Sequence, residues 1–128
     1  MQYYVGQSDQ LSKNITEQDV LLMAGLILDS NRLHLDEDFS RNHRFKKKIV
    51  HGIFPLGLIS AVLGTKLPGN GTIYIKQDIH FLKPIFIGDT ITARVEIINI
   101  HDKNITLKTE CFNHTNDIVC SGIAIVTI

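Results

Sequence analysis

The chain has 128 residues, and its 13 basic and 13 acidic side chains cancel. A length of this order suits one domain whose core buries roughly two-thirds of the unfolded surface without help from disulfides or metal. The cancelled charge provides no overall field for a polyanion, which argues against nucleic acid as a partner, and no apolar run reaches the ~18 residues of a membrane span.

Met1 to Gln10 has neither a basic opening nor an apolar stretch of the kind that marks a secretory signal. Cys111 and Cys120 both lie in alternating apolar segments and read as reduced core residues, so a cytoplasmic setting is expected. No Pro/Gly/Ser-rich linker or repeat divides the sequence, and one domain is expected over residues 1–128.

Helical periodicity dominates before about residue 65. Val20, Met23, Ala24, Ile27 and Leu28 recur at three- and four-residue spacings, and Thr16 with Asp19 supplies a capping signal. A helix is therefore expected from about Glu17 to Leu28. Asp29 follows at its carboxyl end, where the helix dipole disfavours negative charge. Within six residues Asp29, Asn31 and His34 place a carboxylate, an amide and an imidazole together. From the residues alone, Asp29 is either a helix-end carboxylate or a base, and His34 either a loop histidine or its partner.

His51-Gly52 opens a segment without charge that runs to Gly64, so a helix there is expected to be buried on every side. Pro55 fits its first turn, where a missing amide hydrogen loses no intrahelical partner. Gly52 lacks a side chain, which either allows a ligand close to the backbone or merely eases entry into the helix. His51 reads either as a second base or as a structural residue fixing the Gly52 turn.

After about residue 72 the period changes to two. Ile91, Ala93, Val95 and Ile97 alternate with polar residues, and Ile105, Leu107, Thr109 and Cys111 repeat the pattern. A last strand carries Cys120, Gly122, Ala124 and Val126 on one face, and turns are expected at Asp102–Asn104 and His114–Asn116. The fold class expected is α+β, with a curved antiparallel sheet wrapped around one central buried helix.

Several stretches carry a family likeness across nearly the whole chain. They are Asp29-Ser30-Asn31-Arg32-Leu33-His34-Leu35-Asp36, Ile49-Val50-His51-Gly52, Leu63-Gly64-Thr65-Lys66-Leu67-Pro68-Gly69, and the run from Phe81-Leu82-Lys83-Pro84 to Ile91-Thr92-Ala93. The sequence resembles the MaoC-like, (R)-specific enoyl-CoA hydratases of the hot-dog fold. The resemblance implies reversible syn addition of water to a trans-2-enoyl-CoA, giving an (R)-3-hydroxyacyl-CoA, with Asp29 and His34 as the catalytic pair. It further implies the Gly52 amide as donor to the thioester oxygen, with Ser60 and Asn31 in support. A homodimer whose sheets join is implied too, and no cofactor.

Three departures from the motif stand out. Arg32 replaces the usual proline, Ile27-Leu28 replaces a small polar pair before the aspartate and is expected to narrow the pocket, and Lys48 replaces a proline before Ile49. Arg44, Lys46, Lys47 and Lys48 form the one basic run of a neutral chain. It is either a docking patch for the phosphates of coenzyme A or a solvated loop. His43, His80, His101 and His114 show no ligand spacing, and no metal is expected. An acyl-carrier-protein dehydratase or a thioesterase on the same fold, or a non-catalytic acyl-CoA binder, are the alternative functions.

Overall fold

The structure, a computed structural model, describes residues 3–128. In chain order it comprises β1 (Ser8–Asn14), α1 (Glu17–Ile27), α2 (Arg32–Leu35), α3 (Glu37–Arg41), α4 (Ile53–Thr65), β2 (Ile73–Gln77), β3 (His80–Phe81), β4 (Thr90–His101), β5 (Asn104–Phe112) and β6 (Ile118–Thr127). All strand pairs are antiparallel, in the order β1-β4-β5-β6-β2, and β3 also pairs with β6.

The alternation seen in the sequence gives the sheet one apolar face. Ile91, Ala93, Val95, Ile97, Ile105, Leu107 and Cys111 are all fully buried, and α4 lies across them with Phe54, Leu58, Ile59, Val62 and Leu63 turned inward. Cys111 stands directly opposite Cys120 in the β5–β6 register, and both are buried free thiols. The turn expected after His101 is made by Asp102 in the left-handed region, and Asn116 does the same before β6.

Two expectations need correction. The charge-free helix is buried on one side only, for Ile53 is 46 % exposed and Gly57 and Ser60 also lie at the surface of this chain. Absence of charge permits burial, but whether a helix is covered depends on what packs over it. The second correction concerns β1, which lies in the stretch read as helical. Ser8–Asn14 has only Leu11 as an apolar residue, so its placement rests on backbone pairing with β4 from Ser8↔Glu96 to Asn14↔Thr90.

Candidate active site

Helix α1 starts with the capping box expected of Thr16 and Asp19: the Asp19 amide donates to Thr16 Oγ1 at 3.1 Å and the Thr16 amide to Asp19 Oδ2 at 2.9 Å. It ends at Leu28, whose φ of 60° and ψ of 30° are left-handed. That conformation costs a leucine about 1 kcal/mol and is ordinarily a glycine's. Leu28 is 88 % exposed and Ile27 45 %, so this pair does not narrow the pocket as the sequence suggested. Leu28→Gly is expected to raise stability by about 1 kcal/mol, because little packing is lost. A urea midpoint that stayed put or fell would remove the strain assignment.

The left-handed turn directs Asp29 into a short, well-tied loop. The Asn31 amide donates to Asp29 Oδ1 at 3.2 Å, while Asn31 Oδ1 accepts from the Leu33 amide at 3.0 Å and so caps α2. Arg32, at the motif's usual proline position, donates to Asp36 Oδ2 through Nη2 at 2.9 Å and lies 4.8 Å over the Phe39 ring. The loop is thereby fastened by side chains where a fixed torsion would otherwise have served.

His34 is 7 % exposed on α2, and its Nδ1 sits 2.7 Å from the carbonyl oxygen of Ile49. A carbonyl only accepts, so Nδ1 carries the proton and Nε2 presents a lone pair. Burial is the largest influence on His34 and lowers its pKa; the Ile49 carbonyl opposes this, His51 reinforces it and Asp29 opposes it. His51, 1 % exposed, donates from Nε2 to the carbonyl oxygen of Asp29 at 3.0 Å, with its ring centroid 4.0 Å from that of His34. One donor atom from each of Asp29, His34 and His51 lies within 4.8 Å of the others.

Two of these groups, His34 and His51, border an apolar cavity of about 270 Å³, whose lining does not include Asp29. His34, His51 and Gly52 line it with Phe45, Phe81 and Lys83. Gly52 is the N-cap of α4, and no side chain caps this helix start. Its φ of −56° is ordinary, and a β-carbon there would rest 3.6 Å from the Phe81 ring. The missing side chain therefore leaves the backbone open to the cavity and relieves no strain. An uncapped helix start beside an apolar cavity stabilises negative charge on a ligand atom.

A water molecule makes hydrogen bonds of about 2.8 Å, so it fits between a carboxylate and an imidazole separated by up to 4.8 Å. Such an arrangement holds a nucleophilic water against an apolar ligand. Residues 5–118 match the MaoC like domain.

The chain belongs to the MaoC-like domain family. It is 43% identical over 125 residues to the (R)-specific enoyl-CoA hydratase of Rhodospirillum rubrum, covering 96% of this chain and 86% of that protein. It is 38% identical to the 3-hydroxybutyryl-CoA dehydratase of Methylorubrum extorquens, covering 97% and 80%. Among solved structures, the (R)-hydratase from A. caviae involved in PHA biosynthesis superposes with a TM-score of 0.95 at 38% identity, covering 98% of this chain and 97% of that one. The fold is the hot-dog fold of these hydratases.

In this MaoC-like domain Asp29, Asn31, His34, His51 and Gly52 lie together, whereas Ser60 does not join them. Ser60 is exposed and borders a separate cavity of about 110 Å³ with Leu63, Thr72 and Tyr74. Ser60 lies in the segment expected to be buried on every side, and the half-covered helix leaves it at the surface of this chain instead. The basic run is also divided. Lys48 is paired with Glu17 and Lys47 lies 4.3 Å over the Phe86 ring, while Arg44 lies 5.3 Å over Phe45 and Lys46 is exposed. Phe45, Phe81 and Lys83 were missed as cavity residues. Phe81-Leu82-Lys83-Pro84 carried the family motif, yet nothing local shows that it packs beside Gly52.

Proposed function

We propose that this MaoC-like chain adds water reversibly to trans-2-enoyl-CoA thioesters to give (R)-3-hydroxyacyl-CoA, with Asp29 and His34 as its acid–base pair. The chain is an enzyme of the hydro-lyase class, as its curated relatives are. The observation that carries the assignment of the pair is its geometry: a ligand atom of Asp29 and one of His34 lie within 4.8 Å, close enough to hold one water, and the Ile49 carbonyl leaves Nε2 as the unprotonated imidazole nitrogen. That water donates one hydrogen to the Asp29 carboxylate and the other to His34 Nε2, leaving a lone pair for Cβ. Asp29 takes one proton as the oxygen bonds to Cβ and returns it to Cα on the same face, regaining its charge, while His34 Nε2 orients the water through the hydrogen that stays on the new hydroxyl. Negative charge growing on the thioester oxygen is met by the Gly52 amide at the uncapped start of α4. Asn31 and His51 hold the Asp29 loop in place through the bonds described above.

The test is the disappearance of enoyl-thioester absorbance when purified protein meets crotonyl-CoA, with free thiol followed alongside. Hydration without thiol release is expected. Thiol release would point to a thioesterase instead, and no turnover with any enoyl-CoA would remove the assignment.

The nucleotide end of coenzyme A docks at Arg44 and its neighbours in this reading. Arg44 is stacked on Phe45, a cavity residue, and Lys46 is exposed, so both are available to phosphate oxygens. Lys48, engaged by Glu17, contributes less. Arg44→Glu is expected to raise KM for crotonyl-CoA about 10-fold at low salt while leaving kcat alone, the difference fading as salt screens the charge. An unchanged KM across ionic strengths would leave the run as a solvated loop.

The chain pairs with a second copy through strand β2. This edge of the sheet exposes Ile73 at 60%, Ile75 at 58% and Tyr74 at 37%, whereas the opposite edge, β1, is polar. Apolar residues on an unpaired edge favour addition of a further strand. Strand β6 does not offer such an edge, since it is an interior strand and its Val119 is buried. Ile75→Lys is expected to yield monomers in sedimentation at micromolar concentration where the parent chain sediments as a dimer. A monomeric parent chain would contradict the pairing. Free buried thiols at Cys111 and Cys120 suit a cytoplasmic setting, and among the described residues no helix is long and apolar enough to cross a membrane.

A further inference from the structure

The cluster of Asp29, His34 and His51 has a second capability that water activation does not use. Asp29, His34 and His51 come from three different parts of the chain, yet one donor atom of each lies within 4.8 Å of the other two. Each imidazole is anchored through one nitrogen to a backbone carbonyl, His34 to Ile49 and His51 to Asp29. Both anchoring nitrogens must carry hydrogen, so His34 Nε2 and His51 Nδ1 are left with lone pairs. His51 Nδ1 is buried and has no hydrogen-bond partner among the described residues. Buried polar atoms are rarely left so, and one that is calls for a ligand or an unseen partner.

An imidazole whose far nitrogen donates to a carbonyl is the arrangement that orients metal-ligating histidines. We propose that Asp29, His34 and His51 form an inhibitory site for a divalent transition metal of the zinc class. One carboxylate and two imidazoles are donors suited to zinc, cobalt, nickel or copper; magnesium and calcium require more oxygen. Bonds of about 2.0–2.1 Å to a tetrahedral ion draw the donors closer together than they stand in the free chain, and water takes the fourth position. The ion occupies both groups that hydration needs, so metal and enoyl-CoA turnover exclude one another. Metal binding itself is independent of the hydratase reading; only the inhibition rests on it.

The experiment is a titration of chelator-treated protein with Co2+, read by its visible ligand-field bands, and with Zn2+, read by calorimetry. One ion per chain is expected, with the intense bands of four-coordinate cobalt, undisturbed by excess magnesium. Asp29→Asn and His51→Gln, each checked for folding by circular dichroism, are expected to bind more than ~10-fold more weakly. Asp29→Asn leaves the backbone carbonyl that anchors His51, so it stands if His51→Gln unfolds. Zn2+ should also abolish crotonyl-CoA hydration, and chelator should restore it. No binding up to millimolar metal, pale six-coordinate spectra, or equal affinity in both variants would overturn the site. Binding of one ion by a chain that hydrates nothing would uphold the site and remove the hydratase reading instead. Binding with hydration undiminished would overturn the inhibitory assignment.

Discussion

Asp29→Asn is expected to lower kcat for crotonyl-CoA hydration about 100- to 10,000-fold, the span of a lost general base, with little change in thermal stability. The substitution keeps the size of the side chain and the acceptor for the Asn31 amide, and it leaves the Asp29 carbonyl that His51 holds. What it removes is the proton acceptor. His34→Ala should lose activity on a similar scale, but also leave the Ile49 carbonyl without its donor. The parent enzyme should show a matching pH signature. Burial, foremost, holds His34 below the ordinary histidine value of 6.5, so Nε2 remains an acceptor down to that lowered value. Activity is therefore expected to be level near neutrality and to fall only as pH drops through it. Stability runs the same way: the unfolded chain takes up this proton at higher pH than the folded one, so His34's contribution is intact above about 6.5 and is lost on acidification. A variant retaining more than about a tenth of kcat would contradict the role of Asp29.

The largest expected effect on stability lies away from the site, at Gly122→Ala. A β-carbon at this position in β6 would sit 2.0 Å from the backbone oxygen of Asp78 and 2.8 Å from its carbonyl carbon. Asp78 cannot simply withdraw. Its amide donates to Ile123 O at 3.0 Å, and its Oδ1 accepts from the Ile123 amide at 3.1 Å, which pins the link between β2 and β3 onto β6. Relief requires moving backbone, so a loss of about 3 kcal/mol or more is expected. Denaturant titration measures it, and a loss below about 1 kcal/mol would mean that the crossing is looser than this geometry. Because Phe81 of β3 lines the cavity with Gly52, the same variant should also loosen the cavity.

Capping chemistry and period-two alternation made α1 and strands β4, β5 and β6 legible in the sequence, because those signals are local. Strand β1 was not legible: its residues are mostly polar, and its position depends on partners some eighty residues away. The extent of α4's burial was misjudged for a related reason, since composition says what a helix tolerates and not what covers it. Asp29, His34 and Gly52 could be found through the motif and the punctuation around it. The tie from His51 to the Asp29 carbonyl spans 22 residues and follows from no spacing rule. Ser60 enters through the family resemblance alone and lies on the exposed side of α4, and the pairing of Lys48 with Glu17 is a tertiary contact that no local pattern shows. Leu28 is the reverse case. Its departure from the motif was visible, but only the backbone reveals that the cost is a left-handed leucine and not a narrowed pocket.

Hydration of crotonyl-CoA in D2O, with the product's configuration at Cα and Cβ read by NMR, tests most directly whether one water held by Asp29 and His34 supplies the reaction. A single (R)-3-hydroxy product with deuterium at Cα on the same face as the new hydroxyl is expected, since both groups act from one side of the substrate. A product of (S) configuration, an anti relationship, or a mixture at Cα would contradict a single water delivered by this pair.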